Sequence, residues 1–341
     1  MKFKAVFILF GAITIFGRTP LDYTISITSG YDNNVLRLSK NEFDRAIRNS
    51  EVLGGASTFD SFISRIGITF EKNLWNAKRK SIDMKFFSSY TDNIQFTEKK
   101  YWSGGLDLIY RWGSYKSLRY SLRHLNDFYL RHYIDRDISL NKLEPCKFSD
   151  HNQSVLITQR ISKQIWANLG SGYLQRYYGK PFTEFDLDIL YLKGKLNYKI
   201  KRLGSASIQI LKGRAISDSG ELPKRPSSFD RSYSNTELYV PLKLSIPNHF
   251  FNEYGLSMRI DKRKYDAEDQ DDVLHAGRSH TDQKYDLWIR KNIKEHIRLK
   301  LSGRYRLRDT NSAYDWVKDL KTFKQLQCSV SLEWDFVYDR Y

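Results

Sequence analysis

Basic residues recur at alternate positions near the C-terminal end of the chain, interrupted only by Ser302, and this is the spacing in the sequence that most clearly suggests chemistry. Arg298, Lys300, Arg304 and Arg306 share one parity, with apolar residues between them. Because the side chains of a β-strand point alternately to its two faces, these cations would lie together on one face. Such a row attracts anions and lowers the barrier to their passage through a pore.

Other segments repeat the pattern, so the candidate solute-binding set is larger. Its members are Arg65, Arg119, Arg123, Arg259, Arg298, Lys300, Arg304 and Arg306. Lys85, Arg111 and Arg160 have the same parity, and the expected counter-charges are Asp83, Asp107, Asp186, Asp188, Glu333 and Asp335. Two interpretations stay open: a lumen that favours anions, or a polar interior plugged by cross-strand salt bridges.

Catalytic and metal-binding patterns are weak by comparison. His124 with Asp127 is the nearest approach to a catalytic pair, but His124 has the parity of the apolar residues and no nucleophile accompanies it. The loop Asp266–Asp272 is acidic and is followed by His275 and His280, yet it lacks the spacing of a calcium loop. We therefore expect no enzyme, no catalytic residue, no metal site and no cofactor.

The elements that would position these residues are β-strands, because apolar and polar residues alternate in segments of about ten residues to the end of the chain. The pattern predicts an all-β fold, a single closed antiparallel transmembrane barrel of about 14 strands within a range of about 12 to 16. Segments begin near Tyr23, Phe62, Ile82, Tyr101, Ser117, Asn152, Ile165, Thr183, Ser205, Tyr233, Glu253, Lys284, Glu295 and Thr322.

Connections between the segments alternate in length, as in bacterial barrels with short periplasmic turns and longer outer loops. The short ones are Leu74–Arg79, Gly113–Lys116, Ser162–Gln164, Lys201–Gly204, Pro247–Asn252 and Asn292–Lys294. The longer ones are Asn34–Phe59, Asp92–Glu98, Arg131–Asp150, Gly179–Pro181, Ser217–Arg231, Asp266–Thr281 and Asp309–Lys321. Asn34–Phe59, with its Gly54-Gly55 pair, is predicted to be either a lid or plug or a disordered loop. A soluble β-sandwich is the structural rival, but it does not require this alternation.

The N-terminus carries Lys2 and Lys4 and then an apolar run from Ala5 to Phe16. This is typical of a secretory signal peptide over residues 1–17, with an uncleaved anchor as the alternative. Residues 18–341 would then form one outer-membrane barrel domain. The two cysteines, Cys146 and Cys328, are predicted to be unpaired, with Cys328 facing lipid and Cys146 in a loop.

The formal net charge of +17 is compatible with nucleic-acid binding, but export to the cell surface argues against that partner. In an exported chain the charge would instead meet outer-membrane lipid and the phosphates of lipopolysaccharide, or small anionic solutes in the lumen.

The last segment places Val330, Leu332, Trp334, Phe336 and Tyr338 on one parity, and the chain ends at Tyr341. It resembles the aromatic-ended C-terminal strand of bacterial outer-membrane β-barrels. The resemblance implies that the barrel assembly machinery recognises Trp334, Phe336 and either Tyr338 or Tyr341.

The segment Gly30-Tyr31-Asp32-Asn33-Asn34-Val35 resembles the opening of the barrel domain of surface lipoprotein assembly modulators, whose preceding helical repeats have no counterpart in this chain. Because fold does not fix function, three functions stay open. They are a porin-like channel, a non-transport barrel for surface assembly or adhesion with a plugged lumen, and a barrel enzyme that modifies lipid.

Overall fold

The structure, a computed structural model, describes residues 19–48, 50–135, 142–217, 230–246, 250–268 and 271–339. The predicted signal peptide and Tyr341 lie outside these residues. No helix within the described ranges is long and apolar enough to cross a bilayer.

Fourteen antiparallel strands close into one barrel, which confirms the predicted fold class. The strands are β1 (Leu21–Asp32), β2 (Ser61–Ala77), β3 (Lys80–Asn93), β4 (Tyr101–Gly113), β5 (Lys116–Ile134), β6 (Leu143–Arg160), β7 (Ile165–Tyr178), β8 (Leu187–Ile200), β9 (Gly204–Ile216), β10 (Tyr233–Ser245), β11 (Glu253–Tyr265), β12 (Ser279–Lys294), β13 (Ile297–Asn311) and β14 (Phe323–Tyr338). Two α-helices lie in loops, α1 (Lys40–Arg48) and α2 (Asp315–Lys321), and Ser50–Leu53 and Thr183–Phe185 are short 3-10 helices.

The barrel closes where the first strand pairs with the last. Leu21 lies opposite Tyr338 and Asp32 lies opposite Gln327. Each strand otherwise pairs with its sequence neighbours, so every short connection lies at the end that holds the termini. In an outer-membrane barrel this is the periplasmic end, and the longer loops lie outside.

The outward face is apolar along the middle of the barrel. Exposed side chains there include Ile66, Leu169, Leu192, Ile210 and Leu287. A continuous apolar belt of this kind is unfavourable in water and favourable against lipid acyl chains. A soluble sandwich would bury these side chains between two sheets, so the closed barrel excludes that rival.

The strands β5 and β6 extend further outward than the sequence predicted. Pairing continues to Ile134 opposite Leu143, through aromatic neighbours such as Phe128 and Phe148. The predicted loop Arg131–Asp150 is therefore too long, and Cys146 lies in β6 rather than in a loop. Neither cysteine is paired: Cys146 is buried and Cys328 is exposed on the outer face.

Candidate functional site: the barrel lumen and its outer mouth

All eight predicted basic residues face the lumen. On β13, Arg298, Lys300, Arg304 and Arg306 share their face with the inward residues of β12 and β14. The register places Arg259 beside Lys284, and Lys284 beside Arg306, on three neighbouring strands. The remaining members Arg65, Arg119 and Arg123 occupy inward positions on β2 and β5.

Most of this set is neutralised by cross-strand carboxylates. Arg298 binds both Glu333 and Asp335, as the sequence predicted, at 3.1 and 2.7 Å. Arg304 pairs with Asp286 at 2.5 Å. Three more members form the pairs Arg306–Asp282, Arg259–Glu237 and Arg123–Asp107. Two further predicted inward cations are also paired, in Arg111–Asp83 and Lys85–Glu71.

Arg65 and Lys300 contact neutral groups instead. The Arg65 guanidinium donates hydrogen bonds to Thr91 Oγ1 and Tyr101 Oη. The Lys300 ammonium lies 5.3 Å from the centre of the Trp288 ring, as a cation–π contact. Their positive charge therefore remains in the lumen without a neutralising carboxylate among these contacts.

Sequence reasoning missed several inward lysines, and three of them bear on the charge of the lumen: Lys193 and Lys195 on β8 and Lys284 on β12. Within the described ranges, none of the three has a carboxylate oxygen within 4.0 Å of its ammonium. The parity of β8 was misjudged because Thr183–Phe185 forms a 3-10 helix and the strand begins only at Leu187. Leu190 and Leu192 are exposed on the outer face. Their alternation with Lys193 and Lys195 is the sequence signal that would have placed these two lysines inward.

One predicted counter-charge is on the wrong face. Asp188 pairs with Gln175 on the outer side of the sheet and accepts a hydrogen bond from the Tyr173 hydroxyl at 2.8 Å. The same shift of parity in β8 explains the error. Asp188 therefore does not contribute to the field in the lumen.

Aromatic side chains lie flat on the inner wall and narrow the lumen. Trp288 covers Gly255, where an added Cβ would lie 2.0 Å from the ring. Tyr191 donates a hydrogen bond to the side-chain oxygen of Asn152 at 2.9 Å. Beside it lies a cavity of about 330 Å³, and its polar lining includes Lys193 and Arg259. The inner wall is thus polar on the side of β7–β11, where this cavity lies.

The outer mouth is partly covered by the loop between β1 and β2, here called the lid (residues 33–60). Its side chains form a small hydrophobic core with two residues from neighbouring elements, and the members are Val35, Leu36, Leu38, Ala46, Leu53, Ala56, Phe96 and Tyr129. Gly54 packs against Tyr129 and His132 so closely that a Cβ would lie 2.6 Å from their rings. The described residues of Asn34–Phe59 are therefore folded, which excludes the disordered loop; the mobile lid or plug stays a prediction.

The lid helix begins with a capping box. The backbone N–H of Glu42 donates to Ser39 Oγ at 3.2 Å, and the backbone N–H of Ser39 donates to Glu42 Oε2 at 2.9 Å. The Arg131 guanidinium on β5 donates to the second Glu42 oxygen and to the carbonyl oxygens of Leu36 and Arg37. One arginine thus fastens the lid to the barrel wall.

Next to the lid, a buried ionic cluster joins β12 to β13. The Asp282 carboxylate is 2% exposed and accepts hydrogen bonds from Arg306 and Arg308. Both guanidinium groups lie over the Phe323 ring, at 5.2 and 5.1 Å from its centre. The cluster makes this side of the mouth rigid.

The remaining candidates from the sequence are His124 and the acidic loop. His124 faces outward, as predicted, and stacks between Trp102 and His151. Asp272 accepts a hydrogen bond from His275, and the parts of the acidic loop that are described hold no group of three metal-ligating side chains.

The final strand presents Trp334, Phe336 and Tyr338 on its outward face, in register with β1. An apolar belt outside, a polar lumen inside and closure of the first strand on the last are now established. The fold is that of a bacterial outer-membrane β-barrel.

Comparisons with solved structures return barrels of the same kind at low similarity. A loop-deletion variant of OmpT, an outer-membrane protein of Vibrio cholerae, is 7% identical over 94% of this chain and 100% of its own, with a TM-score of 0.47. OpdK of Pseudomonas aeruginosa, solved with vanillate, is 8% identical over 93% and 99%, with a TM-score of 0.43. OprD of the same organism is 8% identical over 94% of both chains, with a TM-score of 0.41.

No protein-family model matches the chain. No curated protein matches it either. The function must therefore be argued from the barrel itself.

Proposed function

We propose that the protein is a channel of the bacterial outer membrane that favours small anionic solutes and whose outer mouth the lid partly closes. The observation that carries the proposal is the set of inward lysines Lys193, Lys195 and Lys284, none of which forms an ion pair with a carboxylate of the described residues, although Glu237 and Asp282 act on two of them from a distance. Uncompensated cations on a narrow polar wall attract anions and repel cations.

Ion pairing changes which cations we propose as the basis of the selectivity. Arg298, Arg304 and Arg306 each form an ion pair, so their fields are partly cancelled by Glu333, Asp286 and Asp282. Lys193 and Lys195 lie on one face of β8, two residues apart, and their charges add. We therefore assign the selectivity to the lysines first and to Arg65, Arg119 and Lys300 second.

The test is the reversal potential of the refolded protein in a planar bilayer under a salt gradient. The wild-type channel is expected to prefer chloride over potassium, and the triple variant Lys193→Gln/Lys195→Gln/Lys284→Gln is expected to lose most of that preference. The matched control is Arg304→Gln/Asp286→Asn, which removes a neutral pair and should leave the reversal potential unchanged. A cation-selective wild type, or equal effects in both variants, would refute the assignment.

A barrel for surface assembly or adhesion is the second candidate, because the lid has its own hydrophobic core and most lumen arginines are paired. It predicts a folded barrel that carries no current even after the lid is released. The proposal assigns no catalytic residue, cofactor or nucleic-acid partner.

Lipopolysaccharide is the proposed lipid partner. Lys212 and Arg214 on β9 and Lys262 and Lys264 on β11 face outward near the outer ends of their strands and are exposed. Beside them lies a groove of about 680 Å³ that includes Leu190 among its lining. Cations above an apolar groove match phosphate groups above acyl chains.

Changing these four cations to Gln is expected to reduce co-purification of lipopolysaccharide with the barrel. The control changes the periplasmic-end residues Lys163, Lys201, Arg202 and Lys294 to Gln, with the same loss of charge.

The barrel assembly machinery is the proposed partner of the final strand, with Trp334, Phe336 and Tyr338 or Tyr341 as its signal. Replacing each candidate tyrosine separately with Ala and measuring insertion into the outer membrane would identify the one that the assembly machinery recognises.

A further inference from the structure

A small, partly enclosed cavity lies beneath the lid at the outer mouth, apart from the wider space around Lys193. Its volume is about 100 Å³. The described residues that line it include five basic side chains and no acidic one: Arg37, Lys99, Arg131, Arg308 and Lys321. Such an accumulation of like charge around one space costs energy unless a counter-charge occupies it.

The carboxylates near this cavity are engaged elsewhere. Glu42 is bound by Arg131, and Asp282 is bound by Arg306 and Arg308. Asp32 accepts hydrogen bonds from the side-chain amides of Gln325 and Gln327. These carboxylates act on Arg37, Lys99 and Lys321 only from a distance, and none of them forms an ion pair with one of these three cations.

Two of the five cations retain unused donor capacity. The Nε of Arg37 is buried, and no described atom lies within hydrogen-bonding distance of it. The second cation is Lys321. The Glu42 carboxylate attracts it electrostatically, but Glu42 forms its ion pair with Arg131 and not with Lys321. A buried donor without a partner is costly, and an acceptor in the cavity would satisfy it.

The chain itself directs Arg37 to this position. Its backbone has φ of 56°, and its N–H donates to the carbonyl of Asn34 in a tight turn. Asn34 is fixed by its side-chain amide, which donates to Leu38 and Lys324 carbonyls. On the opposite side the Lys99 ammonium donates to the carbonyl of Val35 at 2.7 Å. Contacts with the backbone therefore hold these cations at the cavity, unlike mobile side chains on a surface.

We propose that this cavity binds one small tetrahedral oxyanion, sulfate or phosphate, between Arg37, Lys99 and Lys321, and that the bound ion holds the lid on the barrel. The volume equals that of roughly three water molecules, at about 30 Å³ each, which suits an ion of five heavy atoms and not a larger solute. Guanidinium and ammonium groups are the usual ligands of such ions.

This inference deepens the proposed function, since the site lies on the path from outside into the lumen. The anion site is nevertheless tested independently of the channel, because anion binding is measured on the folded barrel in detergent and does not depend on an ionic current. A barrel that binds sulfate but does not conduct would keep this site and remove the channel. A conducting barrel without saturable binding would do the reverse.

The experiment is calorimetric titration of the refolded full-length protein with sulfate, and separately with inorganic phosphate, in a zwitterionic detergent. We expect saturable binding of one ion, weakened at least tenfold in Lys321→Met. The matched control is Lys318→Met on the same helix, an exposed lysine paired with Asp315, which should bind as the wild type does. Heat-modifiable migration on gels verifies that each variant is folded.

If Lys321→Met does not fold, Arg37→Lys keeps the charge and removes only the guanidinium donors, and it should also weaken binding. Added lipopolysaccharide should not compete, because a lipid headgroup does not fit below the lid. Competition would instead assign the phosphate affinity to the outer wall. Unsaturable binding, or equal loss in Lys318→Met, would overturn the proposal.

Discussion

The Arg131 guanidinium and the Glu42 carboxylate form a salt bridge between the barrel wall and the lid, across 89 positions of sequence. The two side chains are 17% and 11% exposed. Because little water screens the pair, removal of one partner would leave a poorly solvated charge, which costs more than breaking a surface ion pair. The same arginine also binds two lid carbonyls, so it is the main polar link at this end of the lid.

Replacing Arg131 with Gln should therefore release the lid. Leaving the Glu42 carboxylate without its partner costs about 2 kcal/mol after allowance for partial exposure, which corresponds to a roughly 30-fold larger open population. We expect longer openings in single-channel recordings and faster proteolysis within α1. Lys318→Gln, which breaks the exposed pair with Asp315, serves as control. Unchanged openings and proteolysis in Arg131→Gln would show that the hydrophobic core alone holds the lid.

Asp282 is expected to be a stability determinant of the outer mouth. Asp282→Asn removes the negative charge shared by Arg306 and Arg308 and should destabilise the barrel by about 3–5 kcal/mol, as for other broken buried pairs. The transition temperature of heat-modifiable migration should fall. Asp309→Asn, at an exposed position of β13, should not lower it. Equal temperatures in the two variants would contradict a structural role for the cluster.

Sulfate binding under the lid should depend on pH. Burial and neighbouring cations lower the pKa of Lys99 to about 7, with Arg37, Arg131 and Arg306 opposing its charge and Asp32 supporting it. Burial likewise lowers the pKa of Lys321 to about 7, with Arg131, Arg278 and Arg308 opposing its charge and Glu42 supporting it.

A lysine with a lowered pKa is charged below that value and neutral above it, so affinity should be highest below pH 7. Above pH 7 it should fall by up to about tenfold per pH unit for each lysine that is coupled to binding. Calorimetric titration at pH 6, 7.5 and 9 measures this, and sulfate is suitable because it does not titrate in that range. Lys321→Met should show a shallower dependence. A flat profile in the wild type would remove both lysines from the site.

The reactivity of the two cysteine thiols tests which face of the barrel meets lipid and which thiol is buried in the protein. Cys328 faces outward between Leu326 and Val330, whereas Cys146 is fully buried. In liposomes an apolar maleimide should label Cys328, and a charged maleimide should not, because the reagent must enter the lipid to reach this thiol. Cys328→Ser should abolish the labelling, and Cys146 should react only after heating. Rapid labelling by the charged reagent would place this face in water.

The alternation of apolar and polar residues was sufficient to predict the approximate strand number, the alternation of short and long connections and the inward direction of the eight basic residues, although the connections Asn292–Lys294 and Arg131–Asp150 were placed where strands continue. This works because the period of two is local: each strand must present lipid-compatible side chains on one face and hydrated ones on the other. It failed where the strand start was misread, at Leu187, and where β5 and β6 continue beyond the apolar belt into Arg131 and Cys146.

The tertiary structure decided which charges are neutralised. Whether Arg306 faces a carboxylate depends on the stagger between β12 and β13, and the sequence of one strand carries no such information. The same holds for the cavity below the lid, where Arg37, Lys99 and Lys321 come from three separate loops. The sequence thus determined the barrel and, outside β8, the side of the wall that the predicted lumen residues occupy, because alternation acts within a strand. Only the closed fold determined which cations remain uncompensated, because that depends on distances between strands and loops far apart in the chain.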